Sequence, residues 1–193
     1  MLPLKFYHQD TLELAQNLLG KMLIRQDGNT IMKAMIVETE AYIGKNDSAC
    51  HASKGRTTRT DIMFQRAGHA YVYFIYGMHY MLNIVTEAEG CPAAVLIRAA
   101  EPMEGQQQMQ INRKTNTSKL CNGPAKLCKA MNITKAQNKL DLCDNSELWL
   151  EEFINVKPEQ IQTSPRIGIG YADEEDQNKH WRFFVKDNPH VSK

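Results

Sequence analysis

The stretch that decides the fold is MLIRQDGNTIMKAMIVETEAYIG, Met22–Gly44. Met22–Arg25 and Thr30–Glu40 read as two apolar strands joined at Asp27-Gly28-Asn29, a turn signal. Residues two apart in a strand share a face. Met32, Ala34 and Ile36 are therefore expected to line the face that continues into Glu38, Glu40 and Tyr42. Two readings fit a core face that turns acidic. Either the strand leaves the core and its acids are solvated, or it runs into a cleft that uses a carboxylate.

Outward from this pair, Asp10 can cap a helix over 11–19, with Glu13 at the capping-box position and Gly20 as the stop. Residues 44–62 are polar and loop-like. AYVYFIYGMHYMLNIV, Ala70–Val85, is aromatic and β-branched with Gly77 near its middle, and reads as a hairpin. Phe74 reads as core. Tyr76 beside the turn has little core to enter and could be a wedge or a stacking platform for a base. Ala93–Ala100 is a further strand, followed by a polar helix from about Glu104 to Lys114 and a short helix from Gly123-Pro124 through Met131. Strands at 147–151, 166–171 and 181–186 complete the pattern, which is that of a mixed α/β domain with a largely antiparallel sheet. Asn83 and Arg98 are polar residues inside apolar strands, where burial without a partner is costly.

The 193 residues suit one domain, and no run of 18 apolar residues or signal-peptide core occurs. These features predict a cytosolic chain that does not engage a membrane. The five cysteines are spread without a CxxC pair, and read as free thiols. The six histidines lack paired ligand spacing, so neither a metal nor another cofactor is expected. Net charge is only +1, but Gly105–Lys139 holds seven basic residues and no acidic one. Lys54, Arg56, Arg59 and Arg66 form a second basic cluster, while acids gather in 141–152 and 173–176. That distribution predicts a polarised molecule with one face for a polyanion.

IVETEAYIG, the downstream His51, YVYFIYGMHYMLNI, VLIRAAEP, CNGPAKLCKAM and the late RIGIG occur in one order across nearly the whole chain. Together they resemble the alkyladenine (3-methyladenine) DNA glycosylase family. The resemblance implies a single α+β domain over residues 1–193, with a curved antiparallel sheet, flanking helices and a protruding β-hairpin. It implies a monomer that acts on double-stranded DNA containing damaged purines, in the cytoplasm with the nucleoid if bacterial and in the nucleus if eukaryotic. By motif position, Glu40 would be the general base, and Arg98 and the Ile167 carbonyl would help hold its water. Tyr42 would stack on one face of the flipped base, with His51 and Tyr73 on the other. Asn83 would crowd the 2-amino group of guanine. Tyr76 would fill the gap in the stack, with Met78 beside it against DNA. His79 stands where animal members commonly carry another aromatic. Glu38 receives no role from the resemblance and is read as structural.

The chemistry of those residue types agrees. Breaking an N-glycosidic bond needs a carboxylate beside water and a good leaving group. An alkylated purine is already cationic and departs readily, and its C1′ can be reached only after extrusion from the duplex. No lysine occupies the proposed nucleophile position, so lyase chemistry is not expected. The alternative is a non-catalytic nucleic-acid-binding module on the same scaffold, for which Glu40 and Arg98 in apolar strands would have no purpose.

Overall fold

The computed structural model describes residues 1–192. One helical turn, α1 (Leu4–Tyr7), precedes α2 (Thr11–Asn17). Asp10 caps α2, accepting from the amides of Leu12 and Glu13; that contact is made by the Asp10 carboxylate without a returning Glu13 side chain. Gly20 has φ +81°, and a Cβ there would collide with the Ile154 carbonyl, so the glycine is required where the chain turns into the sheet.

β1 (Met22–Asp27) and β2 (Thr30–Ile43) form the expected hairpin, with Asp27 paired to Thr30. β3 (Ala70–Ile75) and β4 (His79–Val85) form the second hairpin, and β5 (Ala93–Glu104) lies between β4 and β2. The path β3-β4-β5-β2-β1-β6 is antiparallel throughout, with β6 at Leu148–Glu151. The long β2 changes partner along the edge away from β5. Its first part pairs with β1, and Glu38–Glu40 pair with β8 (Arg182–Val185), which in turn pairs with β7 (Ile161–Ser164). The sheet thus forks at the two glutamates, giving a mixed α/β fold on an open, curved sheet.

Helices α2, α3 (Gln106–Arg113) and α4 (Pro124–Ala130) bury one sheet face. Leu14 and Leu18, Met109, Leu127 and Met131 join Met32, Ile36, Val95 and Ile97 in the main core. Gly105 (φ +75°) separates β5 from α3, so Glu104 ends a strand and does not begin the helix.

Three expectations are corrected. The segment 166–171 is an irregular loop, and the strand lies earlier, at Ile161–Ser164. RIGIG imitates a period of two, but Gly168 has φ +80° and Arg166 is drawn out of any ladder by Asp47. Phe74 is 49% exposed, because it lies on the part of the hairpin that projects past the core, with Tyr80 as its ring partner. Third, Glu38, Glu40 and Tyr42 do not share the face of Met32, Ala34 and Ile36. Thr39 bonds to the Ala15 carbonyl of α2, and Ala41 belongs to the main core with Ile36, so the intervening acids point to the other face.

Candidate active site

The change of face comes from two bulges opposite one another. Between the pairs Ile36–Ala100 and Glu38–Ala99, Val37 has no cross-strand partner. Between Glu38–Ala99 and Thr39–Ile97, Arg98 has none. Each strand therefore places two consecutive side chains on the face away from the helices. Val37 and Ala99 pack there in a small apolar cluster, with Glu38 and Arg98 beside them. Bulges re-aim side chains in this way beside functional sites.

Glu40 is completely buried. One of its carboxylate oxygens, Oε1, accepts from the Ile167 amide at 2.7 Å. The other, Oε2, accepts from the Tyr42 hydroxyl at 2.8 Å and from Arg98 Nη1 at 3.2 Å. Burial, and then the neighbouring Glu40 charge, push the Tyr42 phenol well above its ordinary range, so it remains a donor. Ile167 meets Glu40 through its N–H; the expectation for its carbonyl concerned a water, a different partner.

Glu38 is equally buried and holds the other side of Arg98, accepting from Arg98 Nε at 3.1 Å. It also accepts from Arg182 Nε at 2.6 Å and from the amide and hydroxyl of Ser192 at 2.7 and 2.8 Å. Two carboxylates thus face two guanidinium groups, so the buried charges balance.

Next to Glu40 a narrow pocket is lined by Tyr42, His51, Tyr71, Tyr73, Asn83 and Tyr171, among others. The four residues expected to contact a base, Tyr42, His51, Tyr73 and Asn83, therefore converge from β2, the 44–62 loop, β3 and β4. His51 and Tyr73 meet edge to face with ring centres 4.6 Å apart. Asn83 is anchored by a bond to the Tyr71 carbonyl at 3.2 Å.

Residues 5–189 match the model of the family described as methylpurine-DNA glycosylase (MPG). The chain belongs to that family.

It is similar to proteins provisionally named 3-methyladenine DNA glycosylase. The relative from Methanocella arvoryzae is 52% identical over all of this chain and 96% of its own length. That from Prosthecochloris aestuarii is 48% identical over 97% of this chain and 89% of its own, and that from Borrelia garinii subsp. bavariensis 48% over 97% of each. Membership in the methylpurine-DNA glycosylase family makes the chain an enzyme, a DNA-repair hydrolase whose substrate is DNA. The alternative of a purely binding module falls. Among the described residues no helix is long and apolar enough to cross a membrane, and no cluster of His, Cys, Asp and Glu could hold a metal ion.

Two residues that position this candidate site were not singled out from the sequence. Arg166 is fully enclosed between the Tyr42 and Trp181 rings, its guanidinium 4.8 and 5.0 Å from their centres. It donates to both oxygens of buried Asp47 at 2.6 and 2.8 Å and to the Ala41 carbonyl. It thereby pins the loop that presents the Ile167 amide. Tyr171 donates to the Ala49 carbonyl at 3.0 Å, tying that loop to the segment carrying His51. Both belong to RIGIGY, which was read as a strand and for Ile167 alone.

The hairpin beside the pocket ends in Tyr76, Gly77 and Met78. Tyr76 is 80% exposed and held at φ +53°, a backbone region that a bulky residue rarely occupies. Tyr76 lines the broad groove next to the pocket, with Lys54, Arg59 and Tyr171; Met78, 68% exposed, faces a second cleft with His79 and Lys129. The hairpin thus divides two grooves. The expected separation of charge is only partial, since Asp173 and Glu175 line the first groove opposite Lys54 and Arg59.

Proposed function

We propose that the enzyme rotates an alkylated or deaminated purine out of duplex DNA into the aromatic pocket and hydrolyses its glycosidic bond with water activated by Glu40. The observation that carries this reading is that Tyr42 both lines the pocket and donates to Glu40. A base beside the Tyr42 ring leaves its sugar near the carboxylate. Glu40 takes a proton from water as the oxygen forms a bond to C1′. The C1′–N bond breaks, and its electron pair leaves with the base. An N3- or N7-alkylated purine leaves as a neutral molecule, whereas hypoxanthine must also gain a proton. Arg98 holds Glu40 in place and offsets its charge, and an abasic site is left uncleaved.

Tyr42 stacks on one face of the base, with His51 and Tyr73 on the other. Asn83 disfavours normal guanine by crowding its 2-amino group. Tyr76 fills the vacated stack, and Met78 contacts the adjoining minor groove. The enzyme acts as a monomer. The relatives and the DNA substrate support action on chromosomal DNA in the cytoplasm.

The test is incubation with duplexes carrying a single 3-methyladenine, 7-methylguanine, hypoxanthine or ethenoadenine, scored for free base and for strand breaks. Free base without strand cleavage is the expected result. Release from none of them, or breakage at the abasic site without added alkali, would overturn the reading.

A further inference from the structure

Arg59 lies on the loop that follows His51, with its side chain at the mouth of the pocket. Its Nη2 is 3.1 Å from His51 Nε2, and its guanidinium carbon lies 4.9 Å from the centre of the Tyr73 ring. The other His51 nitrogen, Nδ1, is 3.0 Å from the Tyr71 hydroxyl.

These contacts determine where the protons sit. A guanidinium has five N–H donors, no acceptor, and keeps its charge at any working pH. His51 Nε2 must therefore present its lone pair to Arg59. A neutral imidazole with that lone pair carries its hydrogen on Nδ1, which donates to the Tyr71 oxygen. Hydrogen bonds run one way, from Arg59 through His51 to Tyr71. The phenolic hydrogen of Tyr71 remains for a further acceptor, and Tyr71 lines the pocket.

We infer that Arg59 is a positioning residue of the lesion pocket, which fixes His51 as a neutral imidazole with its hydrogen on Nδ1 and so keeps an added positive charge off the wall that meets a cationic base. The inference rests on the proposed function. A second cation inside a half-enclosed pocket would repel an alkylated purine, whereas the Arg59 charge at the exposed mouth is screened by solvent. Burial, followed by the Arg59 charge, brings His51 down to about 4. The titratable groups around the imidazole are Arg59 and Cys50 on its own loop, Tyr71 and Tyr73 on β3, Tyr42 on β2 and Tyr171 on the 165–173 loop. The groove that His51 and Arg59 also line carries Lys45, Lys54, Lys179, Asp173, Glu175 and Asp176, but the ring nitrogens bond to Arg59 and Tyr71 and not to a carboxylate that would favour an imidazolium.

The test combines ring-nitrogen NMR of His51 with lesion selectivity, in the wild type and in Arg59→Gln. The wild type should show the Nδ1–H tautomer and remain neutral down to about pH 5. Arg59→Gln should raise the His51 titration by about one pH unit and admit the second tautomer. Release of 7-methylguanine relative to hypoxanthine should fall about twofold in the variant at pH 5, where half of the imidazole is then charged, and recover at pH 8 where it is neutral again. An unchanged titration and tautomer would overturn the inference, and so would an equal loss on both bases at both pH values, which is what simple loss of structure gives. If the wild type releases neither base, the pocket assignment fails, while the spectra still decide whether Arg59 sets the imidazole.

Discussion

Val37 and Arg98 are opposed bulge residues: each is the one left without a partner where β2 and β5 cross the site. The local change of register turns Glu38 and Glu40 away from the helices and brings the Arg98 guanidinium between them, at 3.1 and 3.2 Å. The acids of VETEAY are neither a wet strand end nor a continuation of the core face. They occupy the opposite face, one anchoring the arginine and one beside the pocket.

Glu40→Gln keeps the shape and hydrogen-bonding capacity of the side chain but loses its basicity. Base release should fall at least about 100-fold, within the range for a general base, while lesion-duplex binding is retained. Single-turnover release and a binding titration on the same duplex measure both. A loss below about tenfold removes Glu40 from the proton-transfer role.

Glu38→Gln separates anchoring from chemistry. It leaves Arg98 and Arg182 facing a neutral amide, and breaking a buried ion pair costs on the order of 3 kcal/mol. The Tm should drop by roughly 10 °C for a chain of this size, with a smaller loss in the single-turnover rate than Glu40→Gln. A rate loss as large as that of Glu40→Gln at unchanged Tm would contradict the assignment.

Tyr76 can be tested without disturbing the core, because its side chain is exposed. Tyr76→Ser should lower the flipping equilibrium by roughly one to two powers of ten, since base–aromatic stacking is worth about 1–3 kcal/mol. The effect should be largest for well-paired lesions. Tyr76→Gly should lose flipping in the same way yet raise stability by up to about 1 kcal/mol, because glycine adopts φ +53° without strain. A fluorescent base beside the lesion reports flipping, and thermal melting reports the fold.

His51 predicts an acid-side loss of stability. Its folded value of about 4 lies below the ordinary 6.5, so between those pH values the unfolded chain binds a proton that the folded chain does not. Its contribution is thus fully present above pH 6.5, is lost as pH falls, and levels off below about 4, with a slope no steeper than about 1.4 kcal/mol per pH unit. His51→Gln should flatten that part of the Tm–pH curve. An unchanged curve would mean that the histidine is not held neutral.

Duplex affinity should weaken steeply with salt, as basic residues displace counterions from phosphates. Base release should be indifferent to EDTA. The acidic Asp173 and Glu175 in the same groove add a finer expectation: Asp173→Asn combined with Glu175→Gln should tighten binding, most at low salt. Unaltered affinity at low salt would place the duplex away from that wall.

Much of the scaffold was legible because its signals are local. The β1–β2 hairpin follows from apolar runs around Asp27-Gly28-Asn29, the Asp10 cap from one side chain and two amides, and the second hairpin from its aromatic and β-branched content. RIGIG was misread for the same reason. Its alternation looks like a strand, while the Asp47 that pulls Arg166 aside lies more than a hundred positions earlier. Phe74 was misread because composition marks an aromatic as core without showing how far a hairpin extends past its support.

By itself, then, the sequence determined most of the strands, both hairpins, the capped start of α2 and the identities of the acids, aromatics and basic clusters, since each depends on residues within a few positions. Tertiary structure alone decided which face Glu38 and Glu40 occupy, that Arg98 is shared between them, that the Ile167 amide reaches Glu40, and that Arg59 orients the His51 proton. Bulges arise from register between two strands, and hydrogen-bond direction from donors on separate segments. Neither is a property of any single stretch of chain.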